Sequence, residues 1–283
     1  MTALQLPSGD PELPNDVPMT IWEHLRELRK RLIASVLGLI PGVVVAWIYR
    51  EELLDFLAKP LALAWLKLGR GVPTLHISNP VDLFVAYIRI AFVVGLILSS
   101  PFVAYQVWAF IAPGLYSREK AYAVPFALAS AIFFAGGAFF GYAVVFPVGF
   151  ESLLGMTGML PSKVVNVAPT IMIDEYLSFS TQMLLGFGVV FEVPVVVCFL
   201  ALAGIVNWRQ LLKFGRWWVA LASVIAGVLT PSPDVGSQLM MMTPLVVLYF
   251  LAVGIAYLIG PKAPSEDKAD DDDDAAPVVP RGP

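Results

Sequence analysis

The sequence FGVVFEVPVVV, residues 187–197, places Glu192 and Pro194 inside an apolar stretch that runs over residues 177–206. A carboxyl group at bilayer depth costs about 2.5 kcal/mol or more on insertion scales, so an acid in such a place needs a reason. One reason is structural. Pro194 has no N–H for the carbonyl of Val190, and a protonated Glu192 offers a donor nearby. Another is functional: the carboxyl faces a groove and presents a polar handle to a second helix. Hydrogen bonds between helices in lipid contribute roughly 0.6–2 kcal/mol, which suits reversible docking. A proton-coupled secondary transporter using Glu192 is an alternative, although the spans show no obvious repeat of the kind many transporters use.

Two further acids lie in short charged stretches. Glu27 belongs to TIWEHLRELRKRL, residues 20–32, and has Arg31 at i+4, the spacing of an ordinary helical ion pair worth a few tenths of a kcal/mol. Glu119 belongs to SPFVAYQVWAFIAPGLYSREKAYAVP, residues 100–125, between Arg118 and Lys120, where a solvated charge cluster is the plain reading. Should both acids face the same side of a membrane, paired carboxylates there can accept guanidinium groups bidentately. General acid–base chemistry lacks a nucleophile or metal beside them. The single cysteine, Cys198, reads as a small core hydrophobe. His24 and His76 flank the spans, which argues against bis-histidine haem, a zinc cage or an intramembrane Ser/His protease. No GxxxxGK[ST] loop occurs. The expectation is a protein that is not an enzyme and takes no cofactor.

These residues must be positioned by helices in lipid. The 283 residues are 58% hydrophobic and only 14% charged, against roughly 25% charged in soluble domains. Several apolar runs exceed the ~20 residues needed to cross a hydrocarbon core. Unpaired backbone is intolerable there and no barrel-like alternation is visible, so the fold class is all-α, a polytopic membrane protein with six transmembrane helices. The spans fall at about 32–49, 80–100, 122–150, 177–206, 217–229 and 239–259. The fifth is short: its thirteen residues rise only about 20 Å, and the sixth is a candidate for the same. Gly137 and Gly141 at GxxxG spacing signal close helix packing.

Six spans put both termini on one side. That side collects twelve Lys/Arg against five on the other, with Arg89 inside the second span, so both termini should be cytoplasmic. Thr20 and Glu23 match a capping box, starting a helix whose Leu25, Leu28 and Leu32 form an apolar stripe. Pro41-Gly42 predicts a kink or a softened turn in the first span. After it, EELLDFLAKP predicts a short interfacial helix stopped by Pro60. Pro101 and Pro113-Gly114 are expected to break the 100–125 connector into stiff pieces. Residues 1–19 read as a disordered arm and residues 261–283 as an acidic disordered tail with seven acids and three bases. The membrane domain is then 20–260.

The stretches EHLRELRKRL, SPFVAYQVWAFIAPGLYSREK, FGVVFEVPV and TPSPDVGSQ occur in this order on six spans. Together they resemble the TatC family, the multi-spanning C subunit of the twin-arginine protein translocase, over roughly residues 19–259. The resemblance implies binding of the twin-arginine signal peptides of folded cargo proteins at the cytoplasmic face. By motif position, Glu27 and Glu119 would receive the paired arginines, and Phe110 and Tyr116 would line that site. It also implies TatA-like and TatB-like single-span membrane partners, a multi-copy receptor complex and transport driven by the proton motive force. Glu192 would meet a partner helix, with Asp234 and Gln238 in the partner-contact region. The turn TPSPD is one residue longer than the family's usual form.

Overall fold

The computed structural model describes residues 20–69, 71–111, 123–156, 170–229 and 235–259. Among the described residues eight α-helices follow one another: α1 Ile21–Ile48, α2 Arg50–Lys67, α3 Pro80–Ile111, α4 Ala123–Phe140, α5 Phe146–Met156, α6 Ile173–Leu202, α7 Trp208–Leu229 and α8 Val235–Ile259. Among the described residues six helices are long and apolar enough to cross a membrane, α4 and α5 counting as one through the π-helical turn Gly141–Val145. The all-α fold class with six spans is therefore met.

The ends of these helices sort into two groups. His24 of α1 stacks near Phe110 of α3, with ring centroids 4.6 Å apart. Trp108 of α3, Phe126 of α4 and Phe199 of α6 form one aromatic cluster. Trp208 of α7 meets Tyr257 of α8 at 5.1 Å. One end of the bundle therefore gathers the start of α1, α4 and α7 with the finish of α3, α6 and α8. It carries Arg26, Arg29, Lys30, Arg31, Arg209, Lys213 and Arg216, and is the basic end of the molecule.

A cap covers the opposite end. Helix α2 packs on α5, and Lys67 pairs with Glu151. Two-residue strands β1 Leu75–His76 and β2 Ile171–Met172 pair in parallel, tying together the segments before α3 and α6. Helix α6 is the axis of the bundle, packing on α3, α4, α7 and α8, and Leu177 and Phe187 are fully buried along it.

Two local expectations are corrected. Pro60 does not stop a helix: α2 runs through it to Lys67 and buries it. A proline inside a helix leaves the carbonyl four residues back without its donor. Here that carbonyl, Phe56 O, accepts the Tyr142 hydroxyl at 2.9 Å, and the Tyr142 ring stacks on Phe56. The next carbonyl, Leu57 O, accepts the Tyr176 hydroxyl at 2.5 Å. Tyr142→Phe should therefore lower stability by about 1 kcal/mol, measured as thermal unfolding in detergent; an unchanged midpoint would contradict this role for the hydroxyl.

Pro101 likewise breaks nothing, because α3 continues to Ile111, making residues 100–111 the last turns of a spanning helix. Pro41 lies inside a continuous α1, which also absorbs the charged stretch before the first apolar run. The capping box forms as expected, with the Thr20 hydroxyl accepting from Glu23 N–H and the Glu23 carboxylate accepting from Thr20 N–H. The fifth apolar run sits at the far end of a 22-residue helix whose first turns are basic.

Candidate functional site

Helices α1 and α3 meet as an antiparallel zipper. Going inward from the basic end, His24 faces Phe110, Arg31 faces Gln106, Gly38 faces Phe102, and Gly42 faces Ser99 and Gly95. Period 3.6 puts 24, 31, 38 and 42 on one stripe of α1, so the seam follows from the sequence once the partner helix is known. Glycine is required at its tight points: a Cβ on Gly95 would lie 2.7 Å from the Val43 backbone, and one on Gly42 2.6 Å from Gly95 O.

Glu27 sits at the mouth of this seam. Its Oε1 accepts from Arg31 Nε at 2.6 Å, while Arg31 Nη1 donates to Gln106 Oε1 at 3.1 Å. Both members of the ion pair keep about a quarter of their side-chain surface exposed, whereas Gln106 is buried. The expected i+4 pair is present, and it is also a cross-helix link. Arg31 holds one carboxylate oxygen of Glu27 beside α3, one helical turn from His24, whose ring meets the half-buried Phe110. Glu119, Tyr116, Pro113, Gly114 and Asp234 lie outside the described residues.

Glu192 lines a cavity of about 480 Å³ between α3, α4 and α6, walled mainly by Leu96, Val103, Val107, Phe134, Val196 and Phe199. Its side chain is half-buried, and Ser130 of α4 lines the same cavity. Trp108 Nε1 donates to Ser130 Oγ at 2.8 Å. With its oxygen receiving that bond, the serine hydroxyl has its own hydrogen to give to the carboxyl. A hydroxyl that can serve Glu192 thus stands on a neighbouring helix. Pro194 is buried inside α6, which continues past it for eight residues. Sequence reasoning missed Gln106, Trp108 and Ser130. Their signal was available: polar atoms within apolar helices, which lipid forces to find partners.

Gln238 is placed elsewhere. Its Nε2 donates to Ser223 O and Oγ at 3.0 and 3.1 Å, stitching α8 to α7, and it does not line the Glu192 cavity.

Against known proteins, residues 23–244 match the family model described as "Sec-independent protein translocase protein (TatC)". The chain belongs to the TatC family. It is 39% identical over 250 residues to the TatC of Koribacter versatilis, covering 86% of this chain and 87% of that one. It is 35% identical to the TatC of Aquifex aeolicus, covering 89% and 100%. A solved structure titled as the twin arginine translocase receptor TatC superposes with a TM-score of 0.71 at 33% identity, over 83% of this chain and 99% of that one.

A TatC chain is a membrane subunit of the Sec-independent, twin-arginine protein translocase and not an enzyme. It is a multi-pass protein of a prokaryotic inner membrane, working with other components of the Tat system. The alternative of a proton-coupled secondary transporter is not favoured by these matches, which are to protein translocase subunits.

Proposed function

We propose that this chain is the receptor subunit of its translocase, with both termini cytoplasmic and the basic end at the cytoplasmic face. The excess of Lys/Arg at that end supports the orientation. The twin-arginine motif of a folded precursor binds there to Glu27 and Glu119, with Phe110 and Tyr116 lining the site. The observation that carries this reading is the Glu27–Arg31–Gln106 link, which fixes a partly exposed carboxylate at the mouth of a helix seam beside Phe110. An incoming guanidinium meets an acceptor already oriented, and charge-assisted bidentate bonds of this type are among the stronger ones in proteins.

Glu192 then presents a polar group to the single helix of a TatA-like or TatB-like partner, with Gln238 and Asp234 belonging to the contact region at the other end. Several copies form the working receptor, and the proton motive force drives export.

Photocrosslinking from a residue of the signal peptide tests the first step. Glu27→Ala and Glu119→Ala should each cut crosslinking to a twin-arginine precursor at least tenfold while leaving membrane insertion intact. Unaltered crosslinking in both variants would contradict the assignment.

A further inference from the structure

The start of α7 carries three cations with no internal use. Arg209, Lys213 and Arg216 recur at i, i+4 and i+7, so they share one face over about 10.5 Å of helix. All three are exposed. The Arg209 guanidinium stands over the Trp208 ring at 5.5 Å and that of Arg216 over Trp217 at 6.0 Å, contacts that orient the groups without neutralising them. No acidic residue occurs in α7, α8 or residues 203–207, and among the described residues none of the three cations forms an ion pair.

The connection into α7 is fixed. Helix α6 closes with Gly204 at φ +66°, its N–H bonding Ala201 O while Ile205 N–H bonds Leu200 O. This is the Schellman arrangement, which needs glycine at that place. Asn207 N–H donates to the Gln210 side chain at the first turn of α7. The basic face is therefore held rigidly where α8 finishes. Tyr257, two residues before the end of α8, packs edge-on against Trp208. The chain leaves α8 one indole ring away from Arg209.

Beyond α8 the chain carries Glu266, Asp267 and five consecutive aspartates, Asp270 to Asp274. We propose that residues 266–274 dock in cis along the Arg209–Lys213–Arg216 face of α7, forming an electrostatic latch over the foot of α7 and α8. Reach is sufficient: seven residues from Ile259 to Glu266 span up to about 25 Å. Attachment at so short a tether gives an effective concentration of roughly millimolar. Geometry favours this occupant over a lipid headgroup. The three cations rise along the helix axis by about 6 and then 4.5 Å, whereas lipid phosphates share one plane. A drawn-out acidic run offers same-side carboxylates about 6.7 Å apart and can follow the axis.

Zero-length carbodiimide crosslinking decides it, using the full-length protein at one copy per phosphatidylcholine nanodisc, with crosslinked peptides read by mass spectrometry. Lys213 should be joined to the 266–274 peptide at least fivefold more than Lys30, which is also exposed at the basic end. The yield should fall severalfold between 50 and 500 mM salt. It should also fall severalfold in Arg209→Gln/Arg216→Gln, which leaves the reacting lysine in place. Equal labelling of Lys30 and Lys213, or a yield indifferent to the two arginines, would overturn the latch. So would anionic phosphatidylglycerol binding to this face that is identical with residues 261–283 present and removed, because the face would then belong to lipid.

Discussion

Gly95→Leu is expected to detach α1 and leave no monodisperse protein in detergent. A side chain at 95 begins with a Cβ 2.7 Å from both N and Cα of Val43, so it meets the backbone of the facing helix, which has no rotamer to escape into. Helix α1 rests chiefly on α3, and its outward face, including Val36, Leu37, Ile40 and Val44, is exposed. In lipid there is no hydrophobic gain from bringing apolar helices together, so this seam depends on close van der Waals approach. Pushing the two backbones apart removes that approach along its length. Overpacking costs about 1–3 kcal/mol where side chains can yield, and more where they cannot.

Gly136→Leu is the control, since nothing stands within 4 Å of a Cβ there; it should change stability by no more than about 0.5 kcal/mol. Gel filtration with thermal unfolding reads both variants. Equal behaviour would mean that the α1–α3 seam is not held by its glycines. The same seam carries Arg31 to Gln106, so loss of packing also releases Glu27 from its oriented position.

Much of this arrangement was legible in the residues. The six apolar runs, the Thr20/Glu23 cap and the Glu27–Arg31 spacing depend on local pattern, and each is in place. The prolines misled because their effect depends on tertiary partners. Pro60 reads as a stop until Tyr142, 82 positions further on in the chain, supplies the hydroxyl that its missing N–H leaves wanting. No local window contains that pairing. Pro101 misled for a related reason: the aromatic, polar-tinged sequence after it looked like a connector, yet Gln106 is buried accepting from Arg31 and Trp108 is buried donating to Ser130. Motif order singled out Glu27, Phe110 and Glu192 as candidates, but motif order carries no distances. It did not show that Glu27 is tied to α3 through an arginine, or that a serine–tryptophan pair stands behind Glu192.

That pair sharpens what Glu192 should do when changed. Glu192→Ala is expected to weaken docking of a single-span partner by about 3- to 30-fold, the equivalent of roughly 0.6–2 kcal/mol for one interhelical hydrogen bond, while the protein still accumulates. The loss is selective because the cavity wall is otherwise apolar, with Leu96, Val103, Val107 and Val196 offering a guest helix shape but no hydrogen bond. Glu192→Gln should dock at close to the parental level. Its carbonyl can accept from the Ser130 hydroxyl on the same cavity wall, whose oxygen takes the Trp108 N–H, and its amide offers N–H to the guest. A photocrosslinker at exposed Val196, on the cavity rim, reads occupancy in membranes, and export of a folded precursor reads the consequence. If alanine exports at the parental rate, the polar handle is not used. If glutamine fails as completely as alanine, shape and hydrogen bonding are insufficient, and the residue must act by releasing a proton, which glutamine cannot do.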